Sequence, residues 1–187
     1  IAQGSLYRMR NDMLRAAALL RRAYEEARER SAEYEKAQAA LQLGILHYEQ
    51  GNLPTARGYL AESRTIFQSM GTRHELARVH LHLARLANLE GQQTTAMDDL
   101  AAVFLNTLEL GTHAFLVPDA RRMAPLLRLG LARRVGGDAL VDLLRRTEGP
   151  APGRGSAEAR LPQAGASPLP VRVLALGTTR VFRGENA

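Results

Sequence analysis

Apolar residues recur at helical spacing along the first two thirds of the chain, in blocks that repeat. Ala40, Leu43 and Leu46 share one face between Ala39 and Glu49. Val79, Leu83, Leu86 and Ala87 do the same between Leu76 and Leu89. Spacings of three and four residues place side chains on one side of a helix, so both segments are predicted helices. Gly51-Asn52-Leu53-Pro54-Thr55-Ala56 aligns with Gly91-Gln92-Gln93-Thr94-Thr95-Ala96 at an offset of 40. Asn11-Asp12-Met13-Leu14-Arg15-Ala16 aligns 40 residues back. Ala16, Ala56 and Ala96 coincide, as do Leu20, Leu60 and Leu100, and Ala23, Ser63 and Val103 follow. A turn, a small residue, then Leu and a further small or modest residue is the pattern of the second helix of a hairpin. The small side chain lets the two helices approach, and Leu fills the space between them.

Arg57–Met70 and Thr95–Leu110 are therefore predicted second helices (B), paired with first helices (A) over Ala39–Glu49 and Leu76–Leu89. Gly71-Thr72 and Gly111-Thr112 punctuate the repeats, and Gly there suits the left-handed residue that ends a helix. Met13–Tyr34 reads as one long B helix whose A partner lies mostly upstream. With Ile1 rather than Met at the start, the expectation is a segment of a longer protein. Val117–Arg134 reads as a helix that Pro125 should kink, and Ala139–Arg146 as a short last helix with Asp138 as its N-cap. This stretch departs from the 40-residue pattern, as a terminal capping repeat does.

Five Pro and four Gly between Glu148 and Pro170 predict a flexible linker. Beyond it the period changes. Val171, Val173, Leu174 and Leu176 form an apolar strand-like run, Gly177-Thr178-Thr179 a turn, and Arg180–Arg183 a second strand. The expected architecture is all-α: a solenoid of helical hairpins over 1–147, a linker over 148–170, and a short C-terminal β-hairpin over 171–187.

The 187 residues contain no Cys, which excludes a disulfide scaffold, a thiol nucleophile and a Cys-ligated metal, and fits a reducing cytoplasm. No run approaches the ~18–20 apolar residues that cross a bilayer, so no membrane role is expected. Charge is uneven. Residues 1–113 hold 13 basic and 13 acidic residues, whereas 114–187 hold 12 basic and 6 acidic. Either an acidic partner such as nucleic acid or a solvated Arg-rich face accounts for that excess. His80 and His82 are two apart on a helix and point away from each other, so they cannot chelate one ion. His47 and His74 stand alone, Asp98-Asp99 reads as a solvated pair, and no phosphate loop, dinucleotide fingerprint or nucleophile elbow occurs. The expectation is no catalytic site, no cofactor and no metal.

Leu43, Gly44, a ring at His47 or Tyr48, Gly51, Ala56 and Leu60 in one repeat, with Leu83, Ala84, Gly91, Ala96 and Leu100 in the next, resemble the tetratricopeptide repeat family. The early Trp of that family is absent, Ala84 replaces its helix-A Gly, and the period is 40 rather than about 34. The longer period is similar to the sensor arrays of large bacterial activators of the maltose-regulator class. The run Leu169–Gly177 with Val181-Phe182-Arg183-Gly184 resembles the opening strands of a response-regulator-type winged helix, as in antibiotic-regulatory activators. The reading helix of such a module is not in this sequence.

The resemblance implies a concave face lined by the A helices, with Gln38, Ile45, Tyr48, Glu49, Arg78, His82, Arg85 and Asn88 turned toward the groove. Tyr48 with Arg78 and Arg85 would hold an anionic or peptidic ligand. Alternatively these are ordinary surface residues of an array that packs on neighbouring domains. Leu41 and Ile45 stand where chaperone-binding repeats carry a carboxylate clamp, which disfavours a co-chaperone. The expected function is a regulatory segment of a bacterial transcriptional regulator. It would bind a protein, peptide or small effector, reach DNA only through a domain missing from this chain, and possibly form homo-oligomers. The alternative is a scaffold that binds a protein or peptide partner with no link to DNA.

Overall fold

A computed structural model describes residues 1–149 and, of the remainder, the backbone of 171–174 and 180–183. The chain divides into two units, Ile1–Gly149 and Pro150–Ala187. The first unit is all-helical, built from consecutive hairpins. α1 (Ala2–Met9) pairs with α2 (Met13–Glu29), α3 (Glu33–Glu49) with α4 (Leu53–Met70), and α5 (Arg73–Leu89) with α6 (Gln93–Leu108). A fourth hairpin joins a broken first arm to α9 (Gly137–Glu148). That arm comprises a 3₁₀ turn (Ala114–Leu116), α7 (Val117–Ala120), a second 3₁₀ turn (Arg121–Met123) and α8 (Ala124–Ala132). The expected linker, and the turn that would close a β-hairpin, lie outside the described residues. In the second unit Val171–Leu174 runs antiparallel to Arg180–Arg183.

The turns share one design. Asn11, Ser31, Gly51, Gly71, Gly91 and Gly111 all have positive φ, at intervals of 20 residues. At the first five, the residue after the left-handed one bonds back five residues: Asp12 N–H to Tyr7, Ala32 to Ala27, Asn52 to His47, Thr72 to Phe67 and Gln92 to Ala87. The left-handed residue itself bonds back three, as Gly51 N–H does to Tyr48. This is the Schellman arrangement, which satisfies the last carbonyls of one helix. The residue that closes it is also the N-cap of the next helix, and Asp12 and Asn52 accept from Arg15 and Thr55 N–H. One short turn thus ends one helix and starts the next.

Several boundaries correct the expectation. The predicted long helix over Met13–Tyr34 breaks at Arg30-Ser31-Ala32, where Ser31 has φ 54°. The first hairpin has its own A helix in α1. Pro125 does not kink a helix from within; Pro118 and Pro125 each sit in the first turn of α7 and α8, where no N–H is needed. Asp138 lies in the first turn of α9 while Gly136 takes the N-cap position.

The core lies between the paired helices. Leu20, Leu43 and Leu46 pack in the first layer, Leu41, Ile45, Leu60 and Phe67 in the second, and Leu81, Leu100, Leu126 and Leu140 in the third. Gly4 and Gly44 set the helix spacing. A Cβ at Gly44 would stand 2.6 Å from Leu60 Cγ, and one at Gly4 2.7 Å from Leu20 Cγ. The backbone therefore runs where a side chain would have to be. Ser63, fully buried, donates to the Ala37 carbonyl at 2.9 Å and ties α4 to α3.

Candidate functional site

The A helices lie one repeat apart, so side chains at a 40-residue offset stand side by side. The four hairpins line a half-open pocket of about 400 Å³. Arg8 of α1, Ile45, Tyr48 and Glu49 of α3, and His82 and Arg85 of α5 line one part of it. Asp119, Arg121 and Arg122 of the broken arm line another, with Met9, Pro118 and Met123 between them.

Two polar chains cross this cavity. Glu49 Oε1 accepts from Arg8 Nη1 at 2.8 Å and from Arg122 Nη1 at 3.4 Å. One carboxylate thus links the first, second and fourth hairpins. In the other chain, the Tyr48 hydroxyl lies 2.9 Å from His82 Nδ1. His82 Nε2 lies 3.7 Å from Asp119 Oδ1, beyond direct hydrogen-bond reach. Arg78 Nε donates to Asp119 Oδ2 at 2.9 Å.

Electrostatics follow from this packing. Burial alone would raise the Asp119 carboxyl, but His82 and Arg78 beside it outweigh burial and hold it well below the usual carboxylate range. Burial, and then the Glu49 charge, push the Tyr48 phenol far up, so it stays a neutral donor at physiological pH.

Five polar atoms of the lining are buried without a hydrogen-bond partner among the described residues: Arg8 Nε, Glu49 Oε2, His82 Nε2, and Arg121 Nε and Nη2. A buried unsatisfied polar group costs about 1–3 kcal/mol. Four of the five lie on Arg or His, on a lining that carries four Arg against one Glu and one Asp. The lining is net-cationic. Among the described residues no group of three or more His, Asp or Glu is arranged to hold a metal.

Of the residues singled out by sequence, Ile45, Tyr48, Glu49, His82 and Arg85 come together here. Ile45 is 1% exposed and belongs as much to the core as to the cavity wall. Arg78 stands behind the cavity as the partner of Asp119. Gln38 and Asn88 do not line it; Gln38 instead donates to the Tyr34 hydroxyl at 2.9 Å. Asp99, expected to be solvated, pairs with His80 at 2.8 Å. Sequence reasoning missed Arg8, Asp119, Arg121 and Arg122. The repeat offset held a signal for two of them: Arg8 is in phase with Tyr48 and Asn88, and Arg122 with His82.

No protein-family model, curated protein or solved structure matches this chain.

Proposed function

We propose that this chain is the sensor segment of a bacterial transcriptional regulator. In this reading, a tetratricopeptide-like solenoid binds an effector or partner on its concave face and couples occupancy to a winged-helix DNA-binding module. The observation that carries it is the cavity to which all four hairpins contribute. An occupant there touches every hairpin at once, so its contacts bias the spacing of the whole array. The link to DNA rests on the resemblance of 169–184 to the opening strands of a winged helix and on the basic excess of residues 114–187. The linker expected over 148–170 would keep such a module close while leaving it free to reorient.

The test is DNA binding by the full-length gene product across a salt series, with residues 1–187 as control. Binding by the full-length protein alone, weakening with salt as phosphate contacts require, supports the reading. Absence of binding in both overturns it. The scaffold reading, without DNA, is favoured by one separate feature. Between α6 and α9 lies an open apolar groove of about 490 Å³, lined by Phe104, Ala139 and the exposed Leu105 and Leu108. Exposed apolar surface of this kind suits a protein partner.

A further inference from the structure

The open groove between α6 and α9 differs in kind from the pocket among the A helices. Leu105 and Leu108 lie three residues apart on α6 and so share one face of it. They are 64% and 73% exposed and form an apolar ridge along one side of the groove. The repeat itself requires neither. Forty residues earlier, at the same phase of α4, stand Thr65 and Gln68, and forty before those, on α2, stand Glu25 and Arg28. All four are exposed. Hairpins of one design thus fold with polar side chains at these two positions. Leucine there serves contact with a further surface rather than packing of the array.

Charge and shape narrow the partner. None of the side chains that line the groove is Asp, Glu, Lys or Arg. His113, in its wall, lies 2.8 Å from the Asp142 carboxylate, which also accepts from Arg146 at 2.6 Å. A strongly acidic or basic partner would therefore meet no opposite charge on this lining. A ridge beside a groove on one face is self-complementary, because about a twofold axis each ridge enters the other copy's groove. A second copy also sets one uncharged lining against another and buries no unpaired charge.

We propose that this face is a homodimer interface, in which Leu105 and Leu108 of each copy enter the groove of the other against Phe104 and Ala139. The proposal goes beyond the sensor reading and holds with or without a link to DNA.

The test is analytical ultracentrifugation of the full 187-residue chain from about 1 to 100 µM, since interfaces of standard size bind at micromolar concentrations or tighter. At the upper end the parent is expected to sediment at twice its 20.5 kDa. The double variant Leu105→Thr with Leu108→Gln copies the residues of α4, so it should keep the far-UV circular dichroism of the parent. It should dimerise at least about a hundredfold more weakly, because four apolar side chains leave each interface. Leu14→Thr, which removes an 86% exposed Leu from α2, is the control and should dimerise as the parent does. The chain has no Cys, so Thr112→Cys in the groove wall and Gln50→Cys at the end of α3 each carry a single thiol. A short bis-maleimide should join Thr112→Cys copies and leave Gln50→Cys copies unjoined, a readout that survives if the double variant fails to fold. A parent that stays monomeric, a dimer that the double variant leaves intact, or equal cross-linking at the two positions overturns the proposal. A monomeric parent would return the groove to an unlike protein partner. Dimerisation without DNA binding by the full-length protein supports the interface and overturns the regulator alone.

Discussion

Two glycines in one hairpin should respond to the same substitution with opposite signs. Gly44 lies on α3 and Gly58 on α4. Replacing a helix-interior Gly by Ala gains about 1 kcal/mol from reduced backbone entropy in the unfolded chain. At Gly58 nothing lies within 4 Å of the added Cβ, so that gain should appear undiminished. At Gly44 the Cβ meets Leu60 Cγ at 2.6 Å, Leu60 Cδ2 at 2.8 Å and the Ala56 carbonyl oxygen at 3.3 Å. Leu60 is fully buried, and Ala56 contributes backbone, so neither has free space to retreat into. The two helices must separate, at an overpacking cost of about 1–3 kcal/mol. With the upper half of that range set against the gain, Gly44→Ala should lose about 1–2 kcal/mol. For a chain of this size, each kcal/mol moves the melting point by about 2–4 °C. Thermal unfolding followed by far-UV circular dichroism should place Gly58→Ala a few degrees above the parent and Gly44→Ala a few degrees below. A Gly44→Ala protein that melts at or above the parent would refute the close-contact account of the α3–α4 pair.

Ser31→Gly should stabilise by about 1 kcal/mol, because Ser31 holds φ 54°, a left-handed conformation that costs a side chain roughly that much; an unchanged denaturation midpoint would contradict the turn geometry. Asp119→Asn should destabilise by about 1.5–3 kcal/mol at pH 7, the range for hydrogen bonds to charged groups. The folded carboxyl is held below its unfolded value near 3.9, so its contribution is present above that pH and fades as pH falls through the folded value. The gap between parent and variant, followed by urea unfolding, should narrow progressively below about pH 4, and a constant gap down to pH 3 counts against the Asp119 ion pair. Burial, together with hydrogen bonding to Glu62 at 2.9 Å, pushes the Tyr24 phenol up to about 12. Its folded value stands above the unfolded value near 10, so the stabilisation it lends is complete below pH 10 and lost as pH rises toward 12. The ultraviolet phenolate titration of Tyr24→Phe should lack a transition near pH 12; loss of one near pH 10 instead would sink this account.

Much of the fold was legible because the repeat is written in residue types that have few other uses. Gly51, Gly71, Gly91 and Gly111 mark left-handed turns, and Ala56 with Leu60 marks the inner face of a B helix. The turn at Asn11 was legible from the 40-residue alignment, but Ser31 holds a left-handed position without being glycine, so the helix pattern seemed to run on through it. Gly4, in phase with Gly44, was the remaining clue to α1. The fourth hairpin was obscured by Pro118 and Pro125, which chop its A arm into short pieces, and by a start of α9 four residues late against the 40-residue period.

The sequence by itself determined the hairpin period and the glycine turns from Gly51 to Gly111, because these depend on local backbone preference and on which positions are apolar. The eight candidate groove residues came from the resemblance to tetratricopeptide repeats, and five of them line one pocket. Only the tertiary structure decided what those residues meet. That Arg8 and Arg122 share Glu49, and that Asp119 sits against Arg78 and near His82, are facts of packing across 30 to 80 residues of chain. A charged side chain reads the same in sequence whether solvated or buried. The approach of other elements fixes its partners, its exposure and so its chemistry.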